Sequence, residues 1–220
     1  MLGPFLGMSA LTEAQKALLL QRSEHISLSK GSQVFLEKQT LQSIFLIHSG
    51  ACKFHFSDEG EDEQITRFLG KGDLMGKRSV TLGGGTRVTA TTMEPTELCR
   101  IDKKSFLQLL RTDAHFCQGF LKWVLRDMNE DEEGRMWSHP KKSIKKRLAG
   151  LLLFLAKKFG TDVTGKLLVR IKRDEMASFL GTSQEYVISL LRKFNQLNYI
   201  QLKKRNIYIS SLSDLKKLAF

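Results

Sequence analysis

The sequence predicts an α+β fold in which a run of short antiparallel strands passes through one long helix into a small, basic, mostly helical domain. Three observations carry this reading. Strand-like patterns break at turn signals as far as Ile101, helical periodicity takes over from Ser105, and positive charge gathers at the far end. The chain has 220 residues, 41% of them hydrophobic, enough for one large domain or two ordinary ones with buried cores. Its formal net charge of +12 points to a polyanionic partner.

The elements follow in order. Leu11, Ala14, Leu18 and Leu19 stand at helical spacing and open the chain with a short helix. Val34 to Leu36, Ile44 to Ile47 and Ala51 to Phe56 then read as strands, the last alternating Cys52, Phe54 and Phe56 before the turn residues Asp58, Glu59 and Gly60. Ile65 to Leu69 precedes the turn Gly70-Lys71-Gly72-Asp73. Arg87 to Thr92 and Thr96 to Ile101 close the series after Gly83-Gly84-Gly85. Many short strands at close spacing make a β-sandwich, barrel or roll.

Asp113 caps a long helix with two neighbouring apolar stripes, Phe116, Phe120 and Trp123 on one and Cys117, Leu121, Val124 and Met128 on the other. Two stripes cover two surfaces, so this helix either lies on the β-domain and a second copy of the chain, or is a core helix of one chain. The dimer contact is assigned to Phe116, Phe120, Trp123, Val124 and Met128. The pattern dissolves over the acidic Asn129 to Gly134, and Ser138-His139-Pro140 marks a break. The expected domains are residues 1–112, a connecting helix 113–138, and residues 139–220. Beyond the break, Ile144, Leu148, Leu151, Leu152 and Leu155 form an amphipathic helix ending at Gly160, and Leu167 to Ile171 reads as a strand.

Charge sharpens this division. Residues 1–110 carry a net +1, residues 111–140 a net −2, and residues 141–220 a net +13. A near-neutral domain is joined to a basic one, and concentrated cations favour sequence-independent contacts to a phosphate backbone over a merely solvated surface.

Within the basic part, Arg173 to Phe194 carries the most specific pattern. Ala177 permits close helix approach and Gly181 supplies a turn four residues later. Val187 and Leu190 follow ten and thirteen residues after Ala177, with Met176 and Leu180 completing the buried side. This is the spacing of a helix-turn-helix. Ser183 caps its second helix and brings Gln184 and Glu185 to the end that enters a major groove. Val187, Leu190, Leu191 and Phe194 face inward, leaving Gln184, Glu185, Ile188, Ser189 and Arg192 for DNA. Gln184 can pair bidentately with adenine and Glu185 can accept from cytosine N4, with Ser189 a third base-reading position. Arg173, Thr182, Ser183 and Arg192 are assigned to phosphates. So are Lys203, Lys204 and Arg205, at the tip of a wing formed by the strands Tyr199 to Leu202 and Ile207 to Ser210.

A β-domain, long helix and winged helix-turn-helix in this order resemble the Crp/Fnr family of bacterial transcription regulators over nearly the whole chain. Local marks are Ile44-Phe45-Leu46-Ile47 with Ser49-Gly50, Gly72-Asp73-Leu74-Met75-Gly76, and Arg173-Asp174-Glu175-Met176-Ala177 with Leu180-Gly181-Thr182-Ser183-Gln184-Glu185. The resemblance implies a jelly-roll-like β-roll as effector domain and a homodimer on a two-fold symmetric, inverted-repeat DNA site. It also implies contact with RNA polymerase if the protein activates. In cyclic-nucleotide-binding members a cassette glutamate holds the ribose, an arginine holds the cyclic phosphate, and a small hydroxyl residue follows. The matching positions here read Gly76-Lys77 and Arg87-Val88, so an acceptor has become a cation and a hydroxyl an apolar side chain. An ammonium has no lone pair for a ribose hydroxyl, which excludes the family's usual use of cyclic AMP. The degenerate pocket, Gly76, Lys77, Arg78, Arg87 and Val88, is either collapsed or closed by internal salt bridges, or collects another anion on Lys77, Arg78 and Arg87. Family members often carry arginine where this chain has Ser189, and the cyclic-AMP branch where it has Gln184. Glu185 is retained, so a C:G readout persists beside altered outer bases.

Other chemistries find little support. Cys52, Cys99 and Cys117 are three and scattered, which disfavours a secreted disulfide framework and offers no four-thiolate cluster; a reducing cytoplasm is expected. Met1 to Ala10 has no signal-peptide pattern, and the apolar stretch Leu148 to Ala156 is too short for a bilayer, so no membrane partner is expected. His48, Cys52 and His55 read as ordinary strand residues before a metal set, and no metal or cofactor is expected. Without a nucleophile–base–acid set or phosphate loop, the chain reads as a DNA-binding regulator and not an enzyme. The alternative is a sensor module for a different anionic or redox effector with weak or vestigial DNA binding.

Overall fold

The computed structural model describes residues 12–14, 17, 23–56, 63–138 and 142–220. Of the opening helix only Glu13, Ala14 and Ala17 fall within these, and they are helical; Leu11, Leu18 and Leu19 lie outside the described residues. The chain divides into two compact units, residues 1–56 with 66–130, and residues 57–65 with 131–220.

The first unit is built on two four-stranded antiparallel sheets. One has the order β1 (Ser23–Leu28), β8 (Thr96–Asp102), β3 (Ser43–Ser49), β6 (Leu74–Met75). The other has the order β2 (Gln33–Phe35), β7 (Thr89–Thr92), β4 (Cys52–Phe56), β5 (Gln64–Leu69). Their inner faces form the core. Ile44, Leu46 and Ile47 of β3 and Leu98, Cys99 and Ile101 of β8 are buried; from Cys99 to Asp102 burial alternates with the exposed Arg100 and Asp102, and the alternation slips at Leu98, where the β3–β8 register shifts. Gly50 makes the β3–β4 turn at φ 89°. A Cβ there would meet Thr96 Oγ1 at 2.5 Å and the Pro95 carbonyl oxygen at 2.6 Å, so both the turn and the approach demand glycine.

A short helix α1 (Lys77–Leu82) follows β6, and α2 (Lys103–Thr112) follows β8, capped by Asp102, whose carboxylate accepts from the Ser105 N–H at 2.9 Å. Helix α3 (Ala114–Ser138) is capped as expected, Asp113 accepting from the Phe116 N–H at 2.8 Å. It runs unbroken through the acidic Asn129 to Gly134.

The structure sorts the two stripes of α3. Phe116 and Trp123 are buried in the roll's core with Phe120 packed against it. Phe106 of α2 meets Phe116 and Phe120 edge-on at 6.0 and 5.1 Å, and Phe120 stacks on Trp123 at 6.0 Å. The assignment of Phe116, Phe120 and Trp123 to a dimer contact is therefore corrected: these aromatics hold the helix on its own roll, because α2 presents Phe106 to them. The neighbouring stripe stays open, with Leu121 at 57% and Met128 at 52% exposure, Cys117 and Leu125 also exposed, and Val124 half-buried.

The second unit contains α4 (Ile144–Phe159), α5 (Arg173–Leu180), α6 (Gln184–Gln196), the hairpin β9 (Ile200–Lys203) and β10 (Asn206–Ile209), and α7 (Leu212–Ala219). Its core gathers Leu148, Leu151, Leu152 and Leu155 of α4 with Met176, Leu180, Val187, Leu191, Phe194 and Leu215. The strand expected at Leu167 to Ile171 does not form. Leu167, Val169 and Ile171 alternate into the core, but the segment meets β10 only around Lys166, where the Leu167 N–H donates to the Ile207 carbonyl at 3.0 Å. Alternation buried the right side chains without a backbone ladder. Among the described residues, no helix is long and apolar enough to cross a membrane.

Candidate DNA interface and effector pocket

Helices α5 and α6 form the expected helix-turn-helix. The first turn of α5 is closed by Glu175, whose carboxylate accepts from the Lys172 N–H at 2.8 Å. Gly181 ends the helix in the left-handed region at φ 59°, and the Thr182 N–H donates back to the Ala177 carbonyl at 3.1 Å. Ser183 starts α6, its Oγ accepting from the Tyr186 N–H at 3.2 Å. Val187, Leu190, Leu191 and Phe194 are buried as expected, which leaves Gln184, Glu185, Ser189 and Arg192 exposed on the outer face, with Ile188 half-buried.

Two exposed residues of this helix, Tyr186 and Lys193, were not among the expected DNA contacts. Tyr186 is 47% exposed beside Ser189 on the flank of the reading face. The available signal was an aromatic outside the inward set, since 186 directly precedes the set Val187, Leu190, Leu191 and Phe194 without belonging to it.

The wing forms as expected. Lys203 pairs with Asn206, so Lys204 and Arg205 make the tip, with Lys204 at φ 56°. Both tip side chains are exposed, and Lys203 Nζ sits 4.9 Å from the Tyr208 ring centroid, a cation–π contact that holds it on the hairpin. Asn195 Oδ1 accepts from the Leu202 N–H at 2.8 Å, tying the start of the wing to the end of α6. Arg173 is half-buried, and burial lowers its pKa, although a guanidinium remains charged. Thr182 is half-buried and Ser183 exposed.

In the first unit one cation of the degenerate pocket is paired within the chain. Lys77, at the first position of α1, donates to Asp127 of α3 at 2.8 Å and to the Leu74 carbonyl at 3.3 Å, and lies 4.9 Å over the Trp123 ring. Arg67 of β5 grips the same carboxylate bidentately, Nη2 to Oδ1 at 2.6 Å and Nη1 to Oδ2 at 3.3 Å. The three side chains are 20% (Lys77), 13% (Arg67) and 8% (Asp127) exposed. Burial lowers the Lys77 pKa against the pull of Asp127. Burial alone would raise Asp127, but the Arg67 hydrogen bond and the Lys77 and Arg67 charges hold it below the usual carboxylate value. At Lys77 an internal salt bridge is seen, so this one of the three pocket cations is already engaged by a carboxylate. Arg78 and Arg87 are exposed, and Val88 packs against the core. Gly76 precedes α1 at φ 81°.

His48, Cys52 and His55 go to separate surroundings. The His48 ring lies against His25 at 5.8 Å with Glu97 at 3.9 Å, while His55 shares a hydrogen bond with Thr91 at 2.9 Å. Cys52 is buried, and burial followed by the Asp73 charge pushes its thiol up to about 12. Among the described residues no group of three or more His, Cys, Asp or Glu is placed to hold a metal.

A two-sheet roll carrying a long helix, with a winged helix-turn-helix in a separate basic unit, defines a DNA-binding regulator. Residues 25–113 match the cyclic nucleotide-binding domain family and residues 146–218 the Crp-like helix-turn-helix domain family. The chain is 27% identical over 203 residues to electron transport regulator A of Shewanella oneidensis, an alignment spanning 91% of this chain and 80% of that one. It is 24% identical over 208 residues to the CRP-like cAMP-activated global transcriptional regulator of Mycobacterium tuberculosis, covering 92% and 91%. Among solved structures, FixK2 from Bradyrhizobium japonicum shares the fold at TM-score 0.80 and 18% identity, covering 90% of this chain and 98% of that one. The chain belongs to the Crp/Fnr family of transcription regulators, which bind DNA, act as dimers and are not enzymes.

Proposed function

We propose that this regulator acts in the cytoplasm as a homodimer on an inverted-repeat site, and that it does so without cyclic AMP. Residues 1–112 form the effector-type domain, 113–138 the dimer helix and 139–220 the DNA-reading domain. The single observation that carries the DNA reading is the exposed outer face of α6, where Gln184, Glu185 and Ser189 stand opposite a fully packed inner face. Gln184 and Glu185 read base edges at the capped helix end, with Tyr186 and Ser189 beside them. Arg173, Thr182, Ser183, Arg192, Lys203, Lys204 and Arg205 hold phosphates. The dimer contact is the open stripe of α3. Cys117, Leu121, Val124 and Met128 alternate at spacings of four, three and four residues, the seam of a two-stranded coiled coil. An activator would contact RNA polymerase through its outer surface.

Selection of bound sequences from random DNA tests this directly. An inverted repeat is expected, and an unenriched pool overturns the reading in favour of a sensor with vestigial DNA binding. On the selected site, Glu185→Ala is expected to relax base choice at one position per half-site, at a cost of about 1–3 kcal/mol for the matched base. Lys204→Ala is expected to weaken all sequences alike. Competition binding against single-base variants separates the two patterns.

The engagement of Lys77 by Asp127 supports the second half of the proposal. Adding cyclic AMP is expected to change neither melting temperature nor DNA affinity, because Lys77 presents no acceptor to a ribose and Asp127 occupies its ammonium. Calorimetric titration and thermal melting check this; a saturable rise in melting temperature would refute it.

A further inference from the structure

We infer that the Arg67–Lys77–Asp127 cluster does the work of a small-molecule effector. It fixes the rotation of α3 on the roll so that the helix's dimer stripe faces outward, and the chain dimerises and binds DNA with no ligand bound. The inference rests on the dimeric DNA-binding reading above and assigns the regulation of that same protein.

Helix α3 has two apolar faces. Phe116, Phe120, Trp123 and Asp127 recur at spacings of four, three and four residues and face the roll. Cys117, Leu121, Val124 and Met128 follow the same spacing one residue on, about 100° around the helix. A rotation of that size would exchange the two stripes. Both are apolar, so hydrophobic burial alone discriminates weakly between them: it is non-directional and scales with area. Asp127 continues the roll-facing stripe one turn beyond Trp123, and adds a charge-paired contact to the ring contacts that Phe106 makes with Phe116 and Phe120.

Two cations from separate elements converge on that carboxylate. Arg67 projects from β5 and Lys77 from the start of α1, and together they engage both oxygens, at 2.6 and 3.3 Å from the guanidinium and 2.8 Å from the ammonium. Turning α3 away would leave both cations facing a largely buried site without their counter-charge, a heavy cost. Lys77 is further held over the Trp123 ring and by the Leu74 carbonyl, so its ammonium is committed from three sides. An anionic ligand entering here would have to displace Asp127 from Lys77 and then lie beside that carboxylate, so occupancy by the chain's own side chain and occupancy by an anion compete.

The test uses the full chain with no nucleotide added. It compares wild type with Lys77→Met, Lys77→Arg and the apolar triple variant Arg67→Met, Lys77→Met, Asp127→Leu. The triple variant removes every charge together and keeps side-chain volume, so its fold is expected to survive, as circular dichroism and melting will show. Lys77→Met and the triple variant are expected to raise the monomer–dimer dissociation constant by about tenfold in sedimentation, and to weaken binding to the selected DNA at least as much; Lys77→Arg stays near wild type. A folded triple variant that dimerises and binds DNA like wild type overturns the inference, since the cluster would then be structural only. Tighter dimerisation or DNA binding in either variant overturns it as well, because the cluster would then be holding an off state. So does a tenfold or greater gain in wild-type affinity on adding cyclic AMP or cyclic GMP. If wild type itself selects no sequence, the DNA reading fails instead, and the sedimentation arm still decides the role of the cluster.

Discussion

Replacing Asp127 by leucine is expected to destabilise the N-terminal unit by about 3–5 kcal/mol, the usual cost of removing one partner from a buried ionic group. The loss comes from what remains: Arg67 and Lys77, 13% and 20% exposed, would face each other across an apolar side chain. Urea unfolding followed by tryptophan fluorescence in a Trp137→Phe background measures it, and a loss under about 1 kcal/mol would show that water reaches the cluster freely. The pH dependence has a definite sign. Asp127 has a folded pKa below 3.8, because the Arg67 hydrogen bond and the two cationic charges outweigh the upward push of burial. Its contribution is fully present above the unfolded value and is lost as pH falls through the folded one. Wild type therefore loses this stability on acidification below about pH 3.8, whereas the leucine variant lacks that part of the acid limb.

The second large effect belongs to the other unit. Phe194→Ala is expected to cost about 3–5 kcal/mol and to abolish specific DNA binding. Phe194 is fully buried at the inner face of α6, with its ring 6.0 Å from Tyr199, the residue that leads into the wing. Its removal opens a cavity beneath both parts of the DNA-reading surface. Circular dichroism melting and a binding assay on the selected site check this; retained affinity would mean that the helix-turn-helix tolerates a void at its centre.

How much of this was legible beforehand follows from how local each constraint is. The helix-turn-helix was readable because Ala177, Gly181, Val187 and Leu190 act within a few turns of one another, so their spacing records their packing. Strands β3 and β8 were readable for a similar reason, through short local alternations, Ile44 and Leu46 in one and Cys99 and Ile101 in the other. Strand β1 was not: its segment Ser-Glu-His-Ile-Ser-Leu lies at a sheet edge and buries no residue fully. Strand β6 is two residues long, too short for any period. At Leu167 to Ile171 the alternation was real, but the ladder depends on a neighbour that periodicity does not describe.

The site shows the same division. Lys77 drew notice because it is a cation in place of an acceptor, and closure by salt bridges was one of two open outcomes. Asp127 drew none. It sits among charged residues in a helix, a pattern that normally means a solvated face, and its partners are 50 and 60 residues away in sequence. Nor could periodicity choose between the stripes of α3, since both are apolar. The choice is made by Phe106 and by the two cations, all on other elements.

The open stripe of α3 also bears on how such a regulator responds to its own abundance. Leu121, Leu125 and Met128 each leave about half their surface uncovered in a single chain, and in the proposed homodimer a second copy covers them. Well below the dissociation constant of that pairing, the number of dimers grows as the square of the number of chains. Doubling synthesis then quadruples the species that reads both half-sites at once. If no effector is needed, as proposed above, dosage becomes the variable that the promoter counts.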